Sequence, residues 1–374
     1  MARPPNSKPG KSNSKPPPEK MAQRSVANVG DALRRMLHNA PALQSAPDQP
    51  VALPEVEAPS LEGLEVTVPA PEPISSDELL ERWLQIRRRH AQTRDRAEGE
   101  PLAAGDEALV DIMAYVGGRI LPFSTRADVW LPLDPDPLLP GLSEGLVGLA
   151  VGKSKVVPVL IPQSYPAVNM RGQNAVFAVT IKAARQVTLP DETSPDFLQQ
   201  LNRGATMDEV MDSIRDELEE EKAEELHDLG KNMVLDQLVS RTNVTVPDKL
   251  VDEEIRRRWT QSEGKALAAR GLTFQEQEEA LKGWLSDDTT RADARRRVAI
   301  ALVLGAVAKR DGLLEQASLD EFMSSYAEET GLPRAEVEEA FKNDAALRAQ
   351  AAHIVAVEHV LTQARINFEG ANPG

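Results

Sequence analysis

The sequence of 374 residues contains no cysteine and few aromatic residues. Without cysteine the chain cannot form disulfides, use a thiol nucleophile or bind a metal through thiolates. Aromatic residues make up only 4% of the chain, so its cores must be built from Leu, Val, Ile and Ala. The five histidines are scattered without the spacing of metal ligands. We therefore expect no metal site.

Long apolar segments are missing as well. The longest apolar run, residues 298–308, is much shorter than the roughly 20 residues of a membrane-spanning helix. The first residues carry no apolar core of a signal peptide. No phosphate-binding loop is present, so neither ATP nor another cofactor is expected. These absences predict a cytoplasmic protein without a membrane partner.

Outside the N-terminal tail, acidic residues outnumber basic ones. The formal net charge is -16, yet residues 1–40 hold eight Lys or Arg and only two acids, a balance of +6. The rest of the chain therefore carries -22. An acidic body repels phosphates, so DNA is not an expected partner. Only the basic tail is suited to a weak contact with RNA.

Residues 1–50 form a basic, Pro-rich segment in which no core can be built, so we expect a disordered tail. It contains a short amphipathic pattern between Val29 and Leu37. Residues 51–104 are Pro-rich at first, and the alternation of Leu64, Val66 and Val68 then predicts a short strand.

A helix is predicted to follow that strand. Ser75 and Glu78 have the spacing of a capping box at its start. Leu79, Trp83 and Ile86 mark one apolar face of this helix. We expect this face to pack on the helical part of the chain, because it needs burial.

Residues 105–188 have short Val- and Ile-rich runs bounded by Gly or Pro, at Ala108–Ile112, Lys155–Ile161 and Ala175–Ile181. With a candidate helix at Ser143–Leu149, they predict a small antiparallel sheet wrapped on one helix. The apolar periodicity of residues 189–370 predicts helices throughout this part of the chain. Helices are predicted at Met207–Val239, Lys249–Ala269, Phe274–Trp284, Thr290–Lys309, from a Ser318 cap onward, at Arg334–Phe341 and at Ala345–Ile366.

Three segments, in order, resemble the trigger factor family of bacterial chaperones. Residues 53–91 look like the end of the family's head domain with its linker helix, and residues 105–190 are similar to its FKBP-type isomerase domain, with Gly105-Asp106 and the string from Leu139 to Gly148. Val246-Pro247 and the segment Ala294–Val298 resemble strings of its helical domain. The resemblance implies an α+β multidomain chain with a small FKBP-like antiparallel sheet domain next to a large all-α chaperone domain. By this resemblance, most of the family's ribosome-binding head is expected to be lacking.

By the same resemblance, five residues line a degenerate isomerase pocket: Tyr165, Phe177, Leu139, Leu142 and Ile112. Such a pocket lowers the barrier to prolyl isomerisation when dry aromatic walls favour the twisted amide. Only Tyr165 and Phe177 remain aromatic. The five residues either still cradle a proline or have become core residues of a retained domain.

Several other family aromatics are replaced in this chain. Two of them fall on Leu121 and Val129, and the acidic position after the first is Pro122. Phe123 and Trp130 lie close by and compensate only if the strand register slips. We therefore expect isomerase activity to be weak or absent.

The resemblance further implies that the helical domain binds unfolded chains through scattered apolar residues. Our candidates are Trp259, Trp284, Phe274, Met207 and Met211, each with the alternative that it packs between helices. The expected function is an ATP-independent chaperone for unfolded or nascent polypeptides, with a weak ribosome interaction or none. An active peptidyl-prolyl isomerase and a scaffold dedicated to one partner protein are the alternatives.

Overall fold

The computed structural model describes residues 53–369 except 122–123, 137, 166–169 and 314–315. The tail of residues 1–50, with its amphipathic segment at Val29–Leu37, lies outside the described residues, as do Pro122 and Phe123. The chain divides into two units. The smaller comprises the chain up to Glu62 with Leu238–Val244 and Ala299–Ala364, and the larger comprises Gly63–Gln237, Thr245–Val298 and Arg365–Gly374.

The described residues form eight strands and eleven helices. The strands are β1 (Glu65–Val68), β2 (Gln92–Asp95), β3 (Glu107–Val116), β4 (Arg119–Ile120), β5 (Arg126–Pro132), β6 (Ser154–Leu160), β7 (Asn174–Thr188) and β8 (Arg365–Phe368). The helices are α1 (Ser76–Arg89), α2 (Leu142–Leu146), α3 (Pro195–Gln200), α4 (Met207–Ser240), α5 (Asp248–Gln261), α6 (Glu263–Ala269), α7 (Phe274–Ser286), α8 (Asp288–Arg310), α9 (Gln316–Thr330), α10 (Arg334–Asn343) and α11 (Ala345–Gln363).

Helix α1 begins with the capping box that the sequence predicted. The Ser75 hydroxyl accepts a hydrogen bond from the backbone N–H of Glu78, whose carboxylate accepts one in return from the backbone N–H of Ser75. The apolar face of α1 packs against α3 and α4, and the rings of Trp83 and Phe197 lie 5.8 Å apart between centroids. The Arg82 guanidinium adds a bidentate ion pair with Glu221 of α4.

An antiparallel sheet of six strands is centred on β3 and β7. β2 and β6 pair with β7, and β4 and β5 pair with β3. Side chains alternate across the sheet, so that Val157 and Val159 of β6 are buried while Val156 and Leu160 are exposed. The buried face packs around α2 and forms the core of this sheet domain.

The predicted helix at the C-terminal end is wrong in its last residues. Helix α11 ends at Gln363, and Arg365–Phe368 instead forms β8, which pairs in parallel with β1. The helical part is therefore not all-α. An apolar residue such as Ile366 fits a helix or a strand, and here its pairing with Val66 makes it part of a strand.

Two further helix boundaries differ from expectation. The predicted helix Lys249–Ala269 is broken at Ser262, whose φ of -115° and ψ of -99° separate α5 from α6. Helix α9 begins at Gln316, so Ser318 lies inside it and is not its cap.

In the smaller unit, α9, α10 and α11 enclose their own apolar cluster, which contains Tyr326, Val337 and Phe341. Residues 299–304 of α8 are all buried, as an apolar helix without a polar face requires. Arg310 donates a hydrogen bond to the carbonyl of Pro59, and Arg241 donates to the carbonyls of Ser60 and Glu62.

Candidate functional sites

The five residues expected to line an isomerase pocket lie together in the core cluster of the sheet domain. Leu142 and Phe177 are buried within it. Ile112, Leu139 and Tyr165 are half-buried and pack against it. The folded chain thus brings these five side chains together from β3, β7, α2 and two loops of the domain, in one apolar cluster.

Trp130 does not replace a missing aromatic in that cluster. In β5 it lies between Val129 and Leu131, and Leu131 packs against the cluster, so alternation puts Trp130 on the other face of the sheet. There the Arg185 guanidinium stacks 4.3 Å from the centre of its ring. The register that would have moved Trp130 into the cluster is therefore not adopted.

The candidate client-binding residues differ widely in exposure. Met207 and Met211 are half-buried against the cluster formed by α1, α3 and α4. Trp284 is only 2% exposed and belongs to the core between α5, α7 and α8. Trp259 is half-buried beside the same core. Phe274 alone among the five is open to solvent, with 82% of its surface exposed.

Phe274 is the first residue of α7 and is held by a capping box. The Thr273 hydroxyl accepts from the backbone N–H of Glu276, and the Glu276 carboxylate accepts from the backbone N–H of Thr273 at 2.8 Å. These bonds from Thr273 lower the pKa of Glu276, because they stabilise its charged form. The exposed ring is therefore carried by a well-formed helix start.

Other apolar side chains are exposed on a strand and a helix of the larger unit. Val156 and Leu160 point outward from β6, and both are more than half exposed. On α1, Leu80 and Leu84 are exposed one turn apart, on the side away from the buried face. The exposed apolar surface is thus dispersed over a strand and two helices.

A groove of about 370 Å³ lies in the larger unit between residues 71–74, α4 and β8. Its apolar lining includes Ile74, Leu226 and Phe368, and the His227 ring meets the Phe368 ring edge-on at 4.7 Å. Because Phe368 of β8 forms part of its lining, the groove could not be predicted from the local sequence.

Sequence reasoning also missed Glu263, which the fold buries at the start of α6. One carboxylate oxygen accepts a hydrogen bond from the backbone N–H of Thr125 at 2.9 Å. The other accepts from the indole N–H of Trp284 at 2.5 Å. Glu263 is 1% exposed, and nothing in its local sequence distinguishes it from the surface glutamates around it.

Two kinds of site are absent from the residues that the structure describes. No three of their His, Asp and Glu side chains are grouped so that they could hold a metal ion. None of their helices has the length and apolar character needed to cross a membrane.

Residues 206–364 match a family model described as the C-terminus of bacterial trigger factor protein. The trigger factor of Rhizobium rhizogenes is 30% identical over 336 residues, which cover 83% of this chain and 62% of that protein. The trigger factor of Actinobacillus pleuropneumoniae is 27% identical over 324 residues, covering 84% and 70%.

Other curated relatives are matched over a smaller part of their length. The chain spans about half of the trigger factor of Syntrophomonas wolfei, with 27% identity over 223 residues that cover 60% of this chain and 50% of the relative. A solved structure of the trigger factor chaperone is 17% identical, with a TM-score of 0.31 over 95% of this chain and 89% of that one.

Proposed function

Because the chain is a relative of the trigger factors and carries their C-terminal domain, we propose that it is an ATP-independent chaperone that binds unfolded or newly made polypeptides. Its setting is the cytoplasm, and the sheet domain is an FKBP-like module beside the helical chaperone domain. Membranes and DNA are not partners of this function, and the strongly acidic body of the chain favours this view.

The observation that carries this proposal is the exposure of Phe274 on a capped helix. An aromatic ring held in water on a rigid element loses little entropy when an apolar segment covers it. Val156, Leu160 and Leu80 extend such contacts over other elements. Several weak and separate contacts bind many sequences and release them again without an energy source.

Aggregation of a denatured reporter protein, measured by light scattering without nucleotide, tests this function. We expect the full chain to suppress aggregation and Phe274→Ser to weaken suppression several-fold, because it removes an exposed apolar contact. Gln275→Ser is the matched control, since it changes the neighbouring exposed residue of the same helix. Absence of suppression by the wild-type chain contradicts the function. Equal suppression by Phe274→Ser contradicts the site.

Prolyl isomerase activity of the sheet domain is proposed to be weak or absent. The pocket residues Ile112, Leu121 and Leu142 are aliphatic where the family has aromatics, which removes walls that favour the twisted amide. A tenfold loss of rate needs only about 1.4 kcal/mol. The gathering of Tyr165 and Phe177 in one cluster favours the rival function, an active isomerase.

A proline-peptide isomerisation assay separates these two functions. We expect a rate close to the uncatalysed one for wild type and for Tyr165→Ala. Tyr115→Ala is the control, because Tyr115 packs at the opposite face of the sheet. Robust catalysis that is lost in Tyr165→Ala and kept in Tyr115→Ala would establish the enzyme instead. A scaffold for a single partner would be recognised by narrow client breadth in the aggregation assay.

Contact with the ribosome is proposed to be weak and salt-sensitive. The tail carries +6, and its contacts with RNA would depend on the release of counterions. Cosedimentation with ribosomes at low and at physiological salt tests this, for the full chain and for a chain that starts at Val51. Binding that persists at physiological salt, or that survives removal of the tail, contradicts the proposal.

A further inference from the structure

A buried carboxylate lies where the sheet domain meets the helices of the larger unit. Glu263 is at the start of α6, its Thr125 partner precedes β5, and its Trp284 partner is in α7. A carboxylate at this depth is stable only while hydrogen bonds satisfy its oxygens. Glu263 therefore ties three separate parts of the chain together through two hydrogen bonds.

Apolar side chains from both sides surround this carboxylate. Met113 of β3, Leu267 of α6 and Ala280 of α7 are buried in one cluster. Met113 lies on the face of the sheet opposite to the pocket cluster, because its neighbour Ala114 packs into that cluster. The half-buried residues that complete the contact are Tyr115, Ile120, Trp259 and Leu272.

At one edge of this contact, α5 and α6 pack closely against each other. Gly264 follows Glu263, and a Cβ at this position would lie 3.0 Å from the Trp259 ring and from the Trp259 carbonyl oxygen. Two buried polar atoms, the Thr125 hydroxyl and the Trp259 indole N–H, have no hydrogen-bond partner among the described residues. Each of them gains hydrogen bonds with water when the contact opens, which lowers the free energy of the open state.

We propose that this contact is a latch. Glu263 holds the helices α6 and α7 against the outer face of the sheet, and opening exposes Met113, Leu267, Trp259 and Leu272 as a second apolar surface for clients. Trp259 would then bind clients only in the open state. The role in client capture rests on the proposed chaperone function, whereas the latch itself does not.

Glu263→Gln tests the latch, because it keeps the size of the side chain and removes its charge. One of the two N–H donors then faces the new amide NH₂, so its hydrogen bond is lost. Glu279→Gln is the matched control, since Glu279 is exposed on α7. Met113→Lys perturbs the same contact from the sheet side and serves as the second variant.

The measurement is hydrogen exchange of the full chain, followed by mass spectrometry. We expect the amide of Thr125, which loses its Glu263 acceptor, and the amides of residues 264–284 to exchange at least tenfold faster in Glu263→Gln and Met113→Lys, which corresponds to about 1.4 kcal/mol of opening free energy. Exchange in α11 should stay unchanged. Exchange in Glu263→Gln and Met113→Lys equal to that in Glu279→Gln overturns the latch.

Capture of a fluorescently labelled denatured protein tests the second surface. We expect both latch variants to capture several-fold more than wild type. Faster exchange without greater capture overturns the client surface and leaves the latch intact. If wild type and both variants capture nothing, the chaperone function itself fails, and hydrogen exchange still decides the latch.

Discussion

A substitution at Gly230 tests how closely the strand pair β1–β8 packs against α4. This glycine is buried in the second half of α4. A Cβ placed on it would lie 2.7 Å from Cγ2 of Ile366 in β8 and 3.0 Å from Cγ2 of Val68 in β1. Both neighbours are β-branched and therefore stiff at χ1. Gly230→Ala must therefore displace the strands or the helix.

The expected effect is the difference of two opposing contributions. Alanine is favoured over glycine in a helix interior by about 1 kcal/mol. Overpacking a tight contact costs about 1–3 kcal/mol. Gly230→Ala should therefore change the free energy of unfolding by between zero and a loss of about 2 kcal/mol.

Gly305 provides the matched control within α8. It is exposed, and no atom lies within 4 Å of a Cβ built on it. Gly305→Ala should stabilise the chain by about 1 kcal/mol, since only the helix preference acts there. Urea unfolding followed by circular dichroism compares the two variants. If Gly230→Ala stabilises as much as Gly305→Ala, the seating of β1 and β8 on α4 described here is wrong.

Three further predictions concern single side chains. Burial lowers the pKa of His353 from 6.5 to about 4. As pH falls from 6.5 towards 4, the unfolded chain therefore binds a proton at this histidine that the folded chain does not, and the folded chain loses stability. Wild type should lose more stability than His353→Gln between pH 7.5 and 5 in urea unfolding, and equal losses would contradict this. Asp106→Asn should destabilise the chain by about 1–3 kcal/mol, because the buried Asp106 carboxylate accepts from the Arg96 guanidinium, which then keeps only Glu100 as a charged partner; unchanged stability in urea unfolding would refute it. Ser75→Ala should weaken α1 by about 1 kcal/mol, seen as faster hydrogen exchange in its first turn, and unchanged exchange there would count against the cap.

Local signals in the sequence predicted the local parts of the fold. The capping box at Ser75 fixed the start of α1, and the apolar face with Trp83 indicated a buried side. The runs that became β3, β6 and β7 are rich in Val and Ile and lie between turns. By contrast, β2 is a run of four exposed polar residues, and only its pairing with β7 makes it a strand.

The candidate sites were predictable only in part, because exposure depends on the tertiary packing. Phe274 and Trp284 are both aromatic residues among polar neighbours, yet one is open to solvent and the other is in the core. Trp284 packs in the core with Val251 and Ile255, and its buried indole N–H is satisfied by the Glu263 carboxylate, 21 residues away in sequence. The sequence of one helix does not show which side chain of another helix will become its hydrogen-bond partner.

Because β1 pairs with β8, the fold can be completed only after β8 has been synthesised. The side-chain amide of Asn367 donates a hydrogen bond to the carboxylate of Glu65, which lies 302 residues earlier in the chain. During synthesis at about 5–20 residues per second, β1 therefore waits roughly 15–60 seconds for its partner strand to be made. Until then Val66 and Val68, which are buried in the finished protein, have no strand beside them. A chain built this way stays incompletely folded until its synthesis is nearly finished.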